Sequence, residues 1–286
     1  MKVCVTGSEG FLGKNVVKAL KVAGHTVVCL DVSPQAEIVA DITKIIPLMK
    51  VDAVIHLAAM ANPRLCDQNP DSAFAVNVLG TQQVLRLALE SGAKKFVFSS
   101  SAHVYDIPPK YLPTDETHPL RLNNTYTTTK ILGEQLCQLY FENHGLSYTV
   151  LRLFNAYGPN QQLGYLIPDL ICKAQRGKID LQGSDITKDW VYVTDVADAF
   201  VKAVSSDFVG AINIGTGIET SLGAIASIIA KASKVELATF PAAIPTRMCG
   251  DWHRAERILG WSPKVCLEEG LRRLLQVPVR TVAKVT

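Results

Sequence analysis

A glycine-rich turn near the start of the chain constrains the fold more than any other feature. Residues 7–13 (GSEGFLG) follow the β-branched strand pattern of residues 2–6 and open a helical pattern. In this position the first glycine permits a sharp turn, the second lets the backbone approach a pyrophosphate, and the third lets the helix pack on the strand. The helix N-terminus adds free N–H groups and a positive dipole. The turn therefore predicts a dinucleotide site formed by Gly7, Gly10, Phe11, Leu12 and Gly13.

The acidic residue at the end of the second strand pattern indicates which dinucleotide binds. Asp31 stands about 20 residues beyond the turn, as expected for a carboxylate that binds a ribose diol. A carboxylate accepts hydroxyl hydrogen bonds and repels a 2′-phosphate, so Asp31 favours NAD over NADP. Asp41 and Ile42 follow a short third strand pattern, where we expect them beside the adenine; the alternative for Asp41 is a turn residue.

Strand and helix patterns alternate through the first half of the chain. Strand patterns cover residues 2–6, 26–30, 53–57, 95–99 and 148–153, with long helical patterns at 70–91 and 125–143. This alternation predicts an α/β fold with a doubly wound parallel Rossmann sheet and a smaller C-terminal α/β substrate-binding lobe. We expect the NAD-binding domain at 1–157 with a return at 188–206, the lobe at 158–187 and 207–276, and a poorly ordered tail at 277–286.

Composition narrows the classes of partner. Of 286 residues, 48% are hydrophobic and 19% charged, the net charge is +3, and the basic residues are scattered, so no nucleic-acid footprint is expected. The seven cysteines show no metal-ligand spacing and are interpreted as reduced thiols, with no metal site expected. No signal-peptide pattern and no apolar run of about 18 residues is present, so we expect no membrane association and a cytoplasmic location.

A serine, a tyrosine and a lysine form the candidate catalytic set. Tyr126 and Lys130 are four residues apart on a predicted helix and therefore share a face. Such a pair alone is usually a solvated surface pair, but Ser99 to Ser101 end a strand pattern at the carboxyl edge, where ligands of these sheets bind. An ammonium and a nicotinamide ring both favour the phenolate, which makes Tyr126 the candidate base, with Lys130 tuning it and Ser101 hydrogen-bonding the substrate oxygen.

Taken together, the motifs resemble those of the extended short-chain dehydrogenase/reductase family, in its NAD-dependent epimerase/dehydratase group that acts on nucleotide sugars. The resemblance covers nearly the whole chain. The matching segments are VTGSEGFLG (5–13), HLAA (56–59), NVLGT (77–81), FSSSAHVY (98–105), YTTTK (126–130), RLFNAYGPNQ (152–161), KDWVYVTDVA (188–197), NIGTG (213–217) and LGWSP (259–263).

The resemblance implies further site residues. Along the cofactor it implies Leu57, Ala58, Ala59, Asn77, Ser99, Tyr126, Lys130 and Phe154. Around the substrate it implies Ser101, His103, Tyr126, Asn155, Leu166, Lys188 and Arg247. Lys188 stands where the family often has arginine, giving a point charge instead of a bidentate fork on the pyrophosphate. For Lys188 and Arg247 the alternative is a solvated surface cation.

The residues after the catalytic serine limit the reaction. In the family, 4,6-dehydratases and decarboxylases carry carboxylates there, whereas this chain has Ala102 and His103. Epimerisation at the hexose C4 and reduction of a 4-keto sugar remain; Asp31 favours the NAD-dependent epimerase. A third possibility is a dinucleotide-binding protein without catalysis, against which the complete catalytic set argues.

Several properties stay open. His103 contacts the hexose, serves as a second acid/base, or merely packs beside the sugar, and His56 is expected to be structural. UDP, dTDP and GDP are all possible nucleotides. By resemblance, the helical patterns at 70–91 and 125–143 are expected to form the contact of a homodimer.

Overall fold

A computed structural model describes residues 1–276 of the chain. Its strands are β1 (Lys2–Thr6), β2 (Thr26–Asp31), β3 (Ile38–Val39), β4 (Ala53–His56), β5 (Lys95–Ser101), β6 (Ser147–Leu153), β7 (Asn155–Tyr157), β8 (Lys178–Gln182), β9 (Thr187–Tyr192), β10 (Gly210–Ile214), β11 (Glu219–Ser221) and β12 (Glu236–Phe240). Its helices are α1 (Phe11–Val22), α2 (Pro63–Gln68), α3 (Pro70–Phe74), α4 (Gly80–Ser91), α5 (Thr125–His144), α6 (Leu166–Gln175), α7 (Val193–Val204), α8 (Leu222–Ser233), α9 (His253–Leu259) and α10 (Leu267–Leu275).

A seven-stranded parallel sheet forms the centre of the molecule, in the order β10-β6-β5-β4-β1-β2-β3. Successive side chains of β1 point to opposite faces, so Val3 and Val5 pack with α1 and α7 while Cys4 packs with α4 and α5. Both faces are therefore covered by helices, which is the condition under which parallel strands are uniformly apolar. The predicted doubly wound Rossmann sheet is confirmed.

A smaller lobe follows the central sheet. It contains the three-stranded sheet β11-β9-β7, the strand pair β12-β8 and the helices α6, α8 and α10 around their own apolar cluster. The expected assignment of residues 207–276 to this lobe differs from the structure at two elements. Strand β10 pairs with β6 in the central sheet, and α9 packs in the apolar cluster of that sheet through Ala255 and Leu259. In the segment 188–206, α7 packs on the central sheet, whereas β9 belongs to the lobe.

The prediction of one continuous helix over residues 70–91 is wrong at its centre. Residues Ala75–Leu79 form a π-helical turn between α3 and α4. Asn77 lies in this turn, and its side chain exchanges hydrogen bonds with the Met60 backbone (2.8 and 3.0 Å) and donates to the Thr129 hydroxyl (3.0 Å). The wider turn thus directs a buried amide that ties α5 to the loop after β4.

The C-terminal segment is fastened to α7 by Trp261 and Asp195. The Trp261 indole donates to the Asp195 carbonyl at 2.8 Å, and the Asp195 carboxylate accepts from the Lys264 and Val265 amides. Helix α7 begins at Val193, and no side chain caps it. The predicted tail at 277–286 lies outside the described residues. Over residues 1–276, no helix combines the length and apolarity needed to cross a membrane.

Candidate active site

The glycine-rich turn joins β1 to α1 and packs against the loop after β4. Gly7 has φ +68°, a left-handed conformation that glycine adopts readily, and a Cβ there would lie 2.7 Å from the Ala58 nitrogen. A Cβ at Gly13 would lie 2.0 Å from the Gly7 carbonyl oxygen. A side chain at either position would displace backbone, so the turn requires glycine at both.

The start of α1 leaves amide groups available for an anion. The helix begins at Phe11 after Gly10, and no side chain caps it. The N–H groups of a helix's first turn lack intrahelical partners and carry the positive end of its dipole. These groups and the close backbone packing at Gly7 fit a pyrophosphate, so the residues present fit NAD. The predicted cofactor residues Gly10, Phe11, Leu12 and Gly13 all lie in this turn.

Asp31 ends β2 at the same place. One carboxylate oxygen accepts the Glu9 amide at 2.9 Å and the other accepts the Ser33 amide at 3.0 Å. These bonds fix the carboxylate beside the turn while it stays partly exposed. Each oxygen keeps a lone pair for a hydroxyl donor, which suits a ribose diol.

The pair Asp41 and Ile42 shows local structural roles. One Asp41 oxygen accepts the Thr43 amide (2.9 Å) and the Thr43 hydroxyl (2.8 Å), bonds that lower the pKa of Asp41. Ile42 is buried, and its side chain fills the space that a Cβ at Gly80 would occupy. The turn alternative for Asp41 is therefore present in the structure.

Leu57, Ala58 and Ala59 follow β4 and complete the wall of the cleft opposite the turn. The Leu57 and Ala58 amides both donate to the Thr6 hydroxyl at 3.3 Å. That hydroxyl lies 2.7 Å from Nδ1 of His56, so the polar groups of β1 and β4 are linked where the two strands end.

The three candidate catalytic residues lie together at the carboxyl end of β5. The Lys130 ammonium donates to the Ser99 carbonyl at 2.8 Å and lies 5.9 Å from the centre of the Tyr126 ring. The Ser101 hydroxyl accepts the His103 amide at 3.2 Å, closing the short helical turn Ala102–Val104. Tyr126, Lys130 and Ser101 are all buried. The sequence spacing thus brings the three side chains to one place.

Burial dominates the protonation of this set. It raises the pKa of Tyr126 above its ordinary value, and the neighbouring Ser101 hydroxyl opposes that rise only in part. Burial also lowers the pKa of Lys130 to about 8. The expected lowering of the Tyr126 pKa includes the charge of a nicotinamide ring and stays a prediction for the NAD-bound protein.

His103, after β5, and Lys188, on β9, lie close enough for the charge of Lys188 to act on the imidazole. Burial and the charge of Lys188 lower the pKa of His103 to about 4. The imidazole is therefore neutral at neutral pH, which favours a hydrogen-bonding role over a second acid/base. Lys188, on β9, has a pKa lowered by burial.

The remaining implied residues occupy the junction of the two lobes. Phe154 is buried against Ala102 and Met248. The Asn155 side chain donates to the Asp189 carbonyl at 3.1 Å. Leu166 is the first residue of α6.

Arg247 is paired with a carboxylate of the same lobe. Its Nε donates to Glu219 at 2.7 Å and its Nη2 at 2.5 Å, forming a bidentate ion pair. The sequence analysis did not identify Glu219, because it lies 28 residues from Arg247 and meets it only through the folding of the lobe.

Two further buried groups shape the site and were not singled out from the sequence. Asp189 lies in the KDW motif, and its carboxylate accepts hydrogen bonds from Thr216, Gly217 and Gly250, which fixes the loops beside Phe154. Glu134 follows Lys130 by four residues on α5 and pairs with Arg152 at 2.7 Å. The four-residue spacing was the available signal for Glu134.

The comparisons with known proteins agree with this geometry. The sequence pattern described as "NAD dependent epimerase/dehydratase family" matches residues 3–215. The UDP-glucose 4-epimerase of Mycolicibacterium smegmatis is 32% identical over 311 residues, covering 96% of this chain and 98% of that one. UDP-glucuronic acid decarboxylase 6 of Arabidopsis thaliana is 29% identical over 301 residues, covering 95% of this chain and 87% of that one. The Thermus thermophilus UDP-glucose 4-epimerase, solved in complex with NAD, superposes with a TM-score of 0.85 at 26% identity and covers 95% of this chain and 97% of that one.

The fold and site define a dinucleotide-dependent enzyme of the short-chain dehydrogenase/reductase type. The chain belongs to the NAD dependent epimerase/dehydratase family. The predictions of this family, of an NAD-dependent epimerase and of NAD as the cofactor are confirmed.

Proposed function

We propose that the protein inverts the configuration at C4 of the hexose in a UDP-sugar. The observation that carries the proposal is the meeting of Tyr126, Lys130 and Ser101 at the carboxyl edge of the sheet, where the glycine-rich turn follows β1 two strands away. Residues Ala102 and His103 support epimerisation over the decarboxylation named for some relatives, because neither supplies a carboxylate at this point of the site. The epimerase named among the relatives supports UDP as the nucleotide.

The residues divide the reaction among them. Tyr126 takes the proton of the C4 hydroxyl and returns it, while Ser101 hydrogen-bonds the same oxygen as it changes between alcohol and carbonyl. Lys130, held on the Ser99 carbonyl, keeps a positive charge close to the phenol. NAD, when bound, would supply the hydride acceptor and donor, and its positively charged ring would oppose the burial that raises the Tyr126 pKa.

The other site residues bind the two ligands. The cofactor is held by the turn residues Gly7, Gly10, Phe11, Leu12 and Gly13, by Asp31, and by Asp41, Ile42, Leu57, Ala58, Ala59, Asn77, Ser99, Tyr126, Lys130 and Phe154. The substrate is held by Ser101, His103, Tyr126, Asn155, Leu166, Lys188 and Arg247. Neutral His103 hydrogen-bonds the hexose, and Lys188 and Arg247 face the diphosphate.

The direct test is turnover without added cofactor. Purified protein incubated with UDP-glucose should produce UDP-galactose, detected by the C4 inversion in proton NMR.

Tyr126→Phe should lower kcat by about 100-fold or more while NAD remains bound, because only the proton-transfer group is removed. An unchanged rate in the variant would exclude Tyr126 as the base. Turnover of a 4-keto sugar that consumes reduced cofactor, with no C4 inversion, would replace the epimerase by a reductase.

Two further properties are part of the proposal. The protein forms a homodimer through α4 and α5, and it acts in the cytoplasm. Exposed apolar side chains on and next to these helices support the dimer. The cytoplasmic location rests on the nucleotide-sugar chemistry and is tested by cell fractionation.

A further inference from the structure

Glu219 holds the arginine that the proposed function assigns to the diphosphate. Both Nε and Nη2 of Arg247 point at its two carboxylate oxygens, at 2.7 and 2.5 Å. The Thr187 hydroxyl donates to the same carboxylate. The side chain of Glu219 is 20% exposed and that of Arg247 is 62% exposed, so the carboxylate is the anchored partner and the guanidinium the mobile one.

Lys188, the other cation that the proposed function assigns to the diphosphate, lies on the opposite face of the sheet from this pair. Strand β11 runs antiparallel to β9, so that Glu219 is opposite Asp189 and Thr220 is opposite Lys188. Because side chains alternate between the two faces of a sheet, Lys188 points away from the face that carries Glu219. Of these two cations, Glu219 therefore contacts Arg247.

A diphosphate beside Arg247 competes with Glu219 for the guanidinium. The guanidinium fork that matches a carboxylate also matches a phosphate, and both bind it in bidentate geometry. An exposed ion pair of this kind contributes little to stability, so phosphate can take over the arginine at small cost. The carboxylate that remains then repels the bound anion.

We propose that Glu219 is an affinity-setting residue: a fixed competitor that weakens the hold of Arg247 on a nucleoside diphosphate. The inference rests on the proposed function, since that function brings the diphosphate to Arg247. It assigns to Glu219 a part in the release of the nucleotide, which the enzyme needs for turnover. The opposite role, in which Glu219 orients Arg247 toward the phosphate, predicts weaker binding when the carboxylate is lost.

Glu219→Gln separates the two roles, because glutamine keeps a hydrogen-bond acceptor for Arg247 and Thr187 but removes the charge. The probe is UDP, titrated into the NAD-bound protein by calorimetry. We expect the Kd for UDP to fall about fivefold, with a steeper loss of affinity as salt increases. Glu236→Gln, the same change at an exposed position on β12, should leave the Kd unchanged.

The outcomes are distinct. An unchanged or higher Kd in Glu219→Gln overturns the inference. Arg247→Met provides the second measurement. If Glu219 acts through Arg247, then Glu219→Gln added to Arg247→Met should raise the affinity for UDP clearly less than Glu219→Gln does alone. An equal gain in affinity contradicts competition for that arginine. Failure of the wild-type protein to bind UDP at all would instead contradict the proposed function and leaves no diphosphate for Glu219 to oppose.

Discussion

His56 is buried at the end of β4 between two threonine hydroxyls. Nδ1 lies 2.7 Å from the Thr6 hydroxyl and Nε2 lies 3.0 Å from the Thr81 hydroxyl. Because Thr81 already donates its proton to the Asn77 carbonyl, it accepts from Nε2–H, and Thr6 donates to Nδ1. The ring is therefore neutral, with both nitrogens hydrogen-bonded, and it joins β1, the strand before the glycine-rich turn, to α4. This is the structural role that the sequence analysis expects.

The neutral ring predicts acid sensitivity. Burial lowers the pKa of His56 to about 3 in the folded protein, whereas the unfolded chain has an ordinary histidine. Stability from this residue is thus fully present above about pH 6.5 and is lost as pH falls toward 3. Between about pH 7 and about pH 5 the loss is about 2 kcal/mol. Urea unfolding of His56→Gln should show a flatter pH dependence than wild type, while exposed His144→Gln should match wild type; equal slopes in all three proteins would contradict this account.

At this scale the sequence identifies residue types more readily than their environments. The spacing of Tyr126 and Lys130 and the strand end at Ser101 are local, and the structure brings all three together. The pKa of Tyr126 and the pairing of Arg247 with Glu219 depend on segments far apart in sequence that bury or approach these groups. No local pattern contains that information.

Helix α5 presents its functional side chains at four-residue intervals. Tyr126, Lys130 and Glu134 share one face, which lies on the carboxyl end of β5. The Ser99 carbonyl accepts a hydrogen bond from the Lys130 ammonium, and the neighbouring Ser100 hydroxyl donates to the Glu134 carboxylate at 2.5 Å. Arg152, opposite Ser100 in β6, completes the pair with Glu134. The ion pair thus fixes α5 against the two strands and so holds the catalytic side chains in register.

Removal of one partner of this pair should destabilise the protein strongly. Glu134→Ala leaves the buried Arg152 guanidinium without its carboxylate, an uncompensated charge that costs about 3–5 kcal/mol. The free energy of unfolding in urea measures the effect. Glu142→Ala, on the exposed side of the same helix, provides the control and should change stability by about 0.5 kcal/mol or less. A loss below about 1 kcal/mol in Glu134→Ala would mean that water already reaches Arg152.

Elements with strong local patterns were predictable, and those made by distant contacts were not. The strand at 2–6 and the helix at 125–143 match β1 and α5 closely because their signals are local. Strand β1 is rich in β-branched residues, and α5 lies between the capping residue Asn124 and the glycine at 145. The π-helical turn at Ala75–Leu79 depends on Met60 and Thr129 meeting Asn77. The return of β10 to the central sheet depends on pairing with β6, more than 50 residues earlier.

The three largest apolar clusters of residues 1–276 lie on the two faces of the central sheet and within the lobe. The helices around the central sheet bury the sides that pack on it, but parts of α4 and α5 face outward. Leu139 on α5 is 46% exposed, and Leu79, which leads into α4, is 57% exposed. Apolar side chains exposed near each other on neighbouring helical segments are suited to contact with the same surface of a second copy across a two-fold axis.

The homodimer can be tested through this surface. Light scattering coupled to size exclusion should give twice the 31.1 kDa mass of the chain. Leu139→Glu places a charge on both sides of a two-fold contact, so repulsion and desolvation act twice and the mass should fall to that of the monomer. Ile45→Glu is the matched control, because it makes the same change on a side chain that is 91% exposed and lies outside these helices. If wild type is a monomer, or if Leu139→Glu remains a dimer, α5 is not the dimer surface; loss of the dimer in Ile45→Glu as well would point to a general effect of added charge.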